Sequence, residues 1–196
     1  LPAFSLTHVE VDQPGILRAD STASTIRKDN FFGVQGLFID KHLRNVSERY
    51  DFDSVRIGVQ PITADFRGFL FQDSPVGIRL FGTRDNNRWQ YNIGLFRRIE
   101  KNTNSGLNDL SADLRDDDVF LFNVYRQDFP VLGFTSQLAL VHNRNAESEA
   151  AFVDDNGFID RPAAIGVQKN REYDVTYFGY NGDGHFGRWN LTASAW

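Results

Sequence analysis

The chain has 196 residues, a formal charge of −5, 41% hydrophobic residues and 24% charged ones. Its 18 Phe, 6 Tyr and 3 Trp exclude a disordered polymer, which lacks the apolar side chains that offset chain entropy. The acidic balance argues against a nucleic-acid partner held through phosphates, and no run of about eighteen apolar residues could make a helical membrane span.

Alternation with a period of two dominates the chain. It predicts strands near 4–12, 32–45, 52–60, 76–84, 88–97, 119–127, 134–144, 173–180 and 189–196. In 52–60, Val55, Ile57 and Val59 oppose Ser54, Arg56 and Gly58. In 88–97, Trp89, Tyr91, Ile93 and Leu95 oppose Gln90, Asn92 and Gly94. Most of these runs have about nine to eleven residues, the length at which a tilted strand crosses a bilayer. The fold class expected is all-β, an antiparallel meander forming part of a transmembrane β-barrel. The nine strands, an odd number, and the polar residues behind Trp196 suggest an open, incomplete barrel. Residues 1–196 are expected to be one segment of it, cut at both ends.

The connections alternate in length. Residues 46–51, 85–87, 128–133 and 181–188 are short, whereas 13–31, 61–75, 98–118 and 145–172 are long and polar. Outer-membrane barrels have this asymmetry, with tight periplasmic turns and long external loops. Tyr50, Phe52, Trp89, Phe129, Phe134, Phe186 and Trp189 flank the short turns, as an interfacial girdle would. Phe31, Phe32, Phe96 and Tyr173 are placed for a second girdle. The segment holding Phe66, Phe69, Leu70 and Phe71 is too apolar for free solvent and is expected to fold back over or into the barrel.

If Val55, Ile57 and Val59 meet lipid, parity turns Arg56 inward, and likewise Arg79, Asp40, His42 and Arg44. A charge facing lipid at mid-depth costs about 2–4 kcal/mol, so these five are the lumen-facing candidates. Rings of such charges set ion preference in pores, although a salt-bridged interior can equally pack a barrel shut.

Other motifs carry less. Gly182-x-Gly184-x-x-Gly187 has the letters of a dinucleotide fingerprint, but a strand follows it where a helix is required, so a glycine-rich hairpin is the better reading. Asp154-Asp155-Asn156-Gly157 lacks the spacing and closing Glu of a calcium loop. Asp113, Asp116, Asp117 and Asp118 read as a solvated loop face. His8, His42, His142 and His185 share no metal spacing, there is no cysteine, and no Gly-x-Ser-x-Gly elbow occurs.

Three phrases carry a resemblance: Ser54-Val55-Arg56-Ile57-Gly58-Val59-Gln60-Pro61, Val76-Gly77-Ile78-Arg79-Leu80-Phe81-Gly82 and Trp89-Gln90-Tyr91-Asn92-Ile93-Gly94-Leu95-Phe96. With Asp65–Phe71 and Tyr180–Gly187, this layout resembles large porin-type outer-membrane proteins of Gram-negative bacteria over most of residues 32–196. The resemblance implies a barrel in the outer membrane that passes small polar solutes, with no catalysis, no cofactor and no metal. The partners expected are the lipid bilayer and the solutes, with no nucleic acid; a homo-oligomer is an open option. The rival readings are a soluble all-β sugar-binding module and an outer-membrane hydrolase.

Overall fold

A computed structural model describes residues 1–10, 26–102, 105–147, 152–153, 159–161 and 171–196. They form strands and connections, with no helix among the described residues. In chain order the strands are β1 (Pro2–Glu10), β2 (Ile26–Val34), β3 (Leu37–Asn45), β4 (Phe52–Val59), β5 (Ile62–Thr63), β6 (Gln72–Asp73) and β7 (Val76–Arg84). There follow β8 (Trp89–Ile99), β9 (Leu114–Arg126), β10 (Phe134–Glu147), β11 (Phe152–Val153), β12 (Ile159–Arg161), β13 (Arg171–Phe186) and β14 (Trp189–Ala195).

Eight of them make one antiparallel sheet in the order β14-β13-β10-β9-β8-β7-β4-β3. Neighbours in the sheet follow one another along the chain, apart from the small ribbons β5–β6 and β11–β12 inserted in long connections. The sheet is not closed: β3 and β14 lie at opposite edges.

Several boundaries differ from the alternation. The run 32–45 breaks at Gln35-Gly36, so β2 leaves the sheet to pair with β1 in a separate hairpin. The apolar set of 4–12 therefore packs in no large sheet. Asn181-Gly182-Asp183-Gly184, expected to turn, continues β13 opposite β10, with Phe134 across from Gly184. The turn comes later, at Gly187 (φ 63°) and Arg188. The expected turn at 85–87 is present, with Asp85, Asn86 and Asn87 all at positive φ, a region Asn and Asp tolerate better than other side chains. Asp51 joins this turn to its neighbour by accepting from the Ser47 hydroxyl (2.8 Å) and the Asn87 amide (3.1 Å).

The inner face of the sheet is the one covered by residues 61–75. That segment packs Ile62, Ala64, Leu70 and Phe71 against Phe96, Val119, Leu121 and Val141, all four sheet residues being buried. Full burial of a large side chain such as Ile62 contributes about 1.5–3 kcal/mol, and the partly buried Leu70 and Phe71 add smaller amounts to holding the connection down. The segment returns over the open sheet through Leu70 and Phe71, whereas Phe66 and Phe69, also expected to leave solvent, stay exposed at 39% and 74%. Phe96 can lie flat because Gly77 and Gly94 beside it have no side chains; a Cβ at Gly94 would overlap its ring. We expect Gly94→Val to cost about 1–3 kcal/mol in a denaturant titration, as overpacking does.

The opposite, outer face is apolar along all eight strands. Leu37 and Ile39 (β3), Ile57 (β4), Ile78 (β7), Leu95 (β8), Phe122 (β9), Leu138 (β10), Phe178 (β13) and Leu191 (β14) are exposed, with Ile39 at 77% and Phe178 at 70%. Of the expected girdles, Tyr50, Phe129, Phe186 and Trp189 are exposed beside the short turns. Phe52 instead turns inward onto Phe81, and Phe96 and Tyr173 stand on inner-face positions, so no second girdle forms from them.

Candidate functional site

Around the returning segment the inner face mixes polar side chains with the aromatic rings of Phe38, Phe52 and Phe81. Its fastening is a set of side-chain amides on four adjacent strands. Gln137 (β10) donates to the Ala64 carbonyl at 2.7 Å, and Asn123 (β9) donates to the same oxygen at 3.4 Å. Asn181 (β13) donates to Gln137 at 2.9 Å, and Asn92 (β8) donates to Asn123 at 2.8 Å. Asn123, Gln137, Asn181 and Ala64 are at most 1% exposed. Buried amides without partners would be costly, and here each donates to the next or to the segment.

The segment's tip is built by one carboxylate. Asp65, 3% exposed, accepts from the backbone amides of Arg67 (2.7 Å), Gly68 (2.5 Å), Phe69 (3.3 Å) and Leu70 (3.0 Å). Phe66 then lies against Tyr125 of β9, their ring centroids 5.5 Å apart.

Toward the long-connection end, an ionic cluster ties the segment to the sheet. Asp73 of β6 bridges Arg98 (3.0 Å) and Lys101 (2.5 Å), while Asp117 bridges Arg98 (3.2 Å) and Arg115 (3.2 Å). Arg115 also meets Glu147 at 3.0 Å. Asp117 is fully buried in β9, which corrects its reading as a solvated loop face: β9 begins at Leu114, four residues before the expected loop ends, and odd positions there face inward. The Asp154–Gly157 stretch lies outside the described residues, and no three His, Asp or Glu side chains cluster as a metal site among the described ones.

Burial raises the Asp73 pKa, but the Lys101 ammonium and the Arg98 guanidinium outweigh it and hold the carboxyl below its ordinary value. A carboxyl whose folded pKa is depressed stabilises the docked segment fully above its unfolded pKa, near 4, and loses that contribution as pH falls through the lower folded value. We therefore expect hydrogen exchange at 66–71 to be unaffected by titration from pH 8 to pH 5 once corrected for intrinsic rates. Protection should fall below about pH 4, and Asp73→Asn should reduce that dependence.

The five residues singled out by parity are distributed as follows. Asp40, Arg56 and Arg79 stand in register across β3, β4 and β7 on the inner face. Arg56 donates twice to Asp40, both at 2.7 Å, and lies over the Phe38 ring at 4.0 Å. Arg79 lies over Phe81 at 4.7 Å. His42 shares that face, 6.1 Å from the Phe52 ring. Arg44 does not. A bulge between His42 and Arg44 shifts the register, placing Arg44 opposite Asp53 on the outer face, where it donates at 2.8 Å. A one-residue bulge inverts every later side chain, which alternation alone does not register.

Counting in twos marked the inner strand positions but not which of them would meet the returning segment. The amides Asn92, Asn123, Gln137 and Asn181 and the cations Arg98 and Arg115 all lie on inner positions of their strands, yet alternation alone does not single them out as partners of the segment. Among known proteins, no family model, curated relative or solved structure matches the chain.

Proposed function

We propose that this chain forms part of a transmembrane β-barrel of the Gram-negative outer membrane, through which small polar solutes pass. The outer face carries the reading. Soluble monomers rarely expose contiguous apolar patches beyond a few hundred Å², yet here the apolar set runs unbroken over eight strands. It also runs obliquely. Ile39, Ile57, Ile78, Leu95 and Phe120 are in register, but the same row holds His142 on β10 and Thr176 on β13. On those strands the apolar residues lie further toward the short turns, at Leu138, Leu140, Phe178 and Tyr180, and on β14 further still, at Leu191.

A drift of about one residue per strand, at about 3.3 Å per residue and about 4.8 Å between strands, corresponds to strands inclined by roughly 35° to a level band. That is the inclination of barrel strands across a bilayer. In lipid the free edges of β3 and β14 need pairing with further strands, because hydrocarbon satisfies no backbone groups. The polar inner face, with its docked segment, then lines or constricts the passage.

The test uses the full-length polypeptide. It should extract from cells only with detergent, change gel mobility on heating, and conduct in a planar bilayer. Recovery in the aqueous fraction would overturn the membrane reading. Folded protein that never conducts would overturn the passage and leave the barrel.

A further inference from the structure

On the short-turn side of the docked segment the inner face holds a recess of about 450 Å³. Phe52, Phe81, Arg79, Gln90, Asn92 and Tyr125 are among the side chains that shape it. Phe52 and Phe81 meet edge to face, 6.1 Å apart, so the recess has an apolar aromatic corner. None of its lining residues is acidic, and Arg79 is the one cation among them.

The charge on Arg79 is left over from its own row. Arg56 and Arg79 stand directly opposite one another on paired strands, an arrangement that repels unless an acid intervenes. The acid in their row is Asp40, and Arg56 occupies both of its oxygens. Arg79 has no ion-pair partner among the described residues, and its Nε is buried without a hydrogen-bond partner. The sealed Nε is out of a ligand's reach, but Arg79 lines the recess without an anion of its own, and a planar two-oxygen anion is the group that suits a guanidinium best.

We propose that this recess binds small carboxylates with a flat, apolar body: the carboxylate on Arg79, the body against Phe52 and Phe81, and the amides of Gln90 and Asn92 at its polar edge. The assignment deepens the passage reading, on which it rests for its role, by naming the class of solute retained. It predicts that charge on the ligand matters more than its shape.

Titration calorimetry of the folded, full-length polypeptide in micelles, with benzoate and with the neutral benzamide, decides it. Benzoate should bind about tenfold more tightly than benzamide, the difference a charge-assisted pair supplies. Arg79→Gln should abolish that preference. Asp40→Asn, which frees Arg56 and adds net positive charge beside the recess, should strengthen benzoate by about twofold or more.

Equal affinity for the two probes, or no heat from either, overturns the proposal. So does a preference that survives in folded Arg79→Gln; should that variant not fold, an unchanged preference in Asp40→Asn overturns it instead. Conductance in potassium chloride separates the two readings. Protein that binds benzoate but passes no current keeps the site and loses the passage. Protein that conducts but does not distinguish benzoate from benzamide keeps the passage and loses the site.

Discussion

Asp65→Ala is expected to release the docked segment from the inner face while leaving the eight-stranded sheet intact. The carboxylate accepts from four consecutive backbone amides that set the shape of the tip. Hydrogen bonds to a charged group contribute about 1.5–3 kcal/mol each, and some of the four would be replaced by water once the tip opens. A net loss of about 3 kcal/mol in closing free energy raises the open population about a hundredfold. Arg67, exposed beside Asp65, supplies the readout, because trypsin cuts after it only when the tip is open. With opening fast relative to cleavage, the rate at Arg67 follows the open population and should rise by the same factor. Asp65→Asn keeps one acceptor oxygen and should fall between the two. Cleavage of Asp65→Ala at the rate of the unaltered protein would mean that the apolar contacts of Leu70 and Phe71 alone hold the segment.

The second large effect belongs to the other face. Leu95 is 59% exposed, at the middle of the oblique apolar band. On a surface bathed in water, an arginine there would change stability by no more than about 0.5 kcal/mol. Facing the mid-plane of a bilayer it costs about 2–4 kcal/mol. Urea unfolding of the full-length polypeptide from phospholipid vesicles should therefore show Leu95→Arg destabilised by that larger amount. Leu132→Arg, in the exposed short turn at 128–133, should be nearly neutral. Equal, small effects at both positions would mean that Leu95 does not face lipid.

The two faces were unequally legible in the sequence. Alternation depends only on which side of a pleat a residue takes, so Val55, Ile57 and Ile78 could be assigned to one face and Arg56 and Arg79 to the other without any knowledge of pairing. Lateral register is a different quantity. That Asn123 and Gln137 would converge on a single carbonyl requires knowing how β9 and β10 are offset and where residue 64 returns, and neither offset leaves a local trace. The bulge before Arg44 is hidden for the same reason: His42-Leu43-Arg44 alternates polar and apolar whether or not Leu43 is the extra residue. Among the acids at 113–118, Asp113 and Asp116 are exposed as the pattern suggests, but Asp117 is buried. A run of like charges usually marks solvent, but the arginines that bury Asp117 come from β8 and from two residues upstream, and their arrival is a tertiary event. The split of 32–45 had a signal in Gly36, which the apolar residues on either side outweighed.

The fastening at Ala64 bears on how this protein can diversify. On the sheet side it depends on the identities of Asn123 and Gln137, but on the segment side the acceptor is a main-chain oxygen that every amino acid carries. Exchange of the exposed side chains at the tip leaves that acceptor in place, whereas loss of the Asp65 carboxylate would not. Residue 64 itself must stay small, being wholly enclosed, whereas Phe69 and Arg67 project from the same tip into solvent. The residues that the tip presents to solvent can thus change without loosening its attachment. Variation should accumulate at 67 and 69, and the four amides beneath should tolerate little.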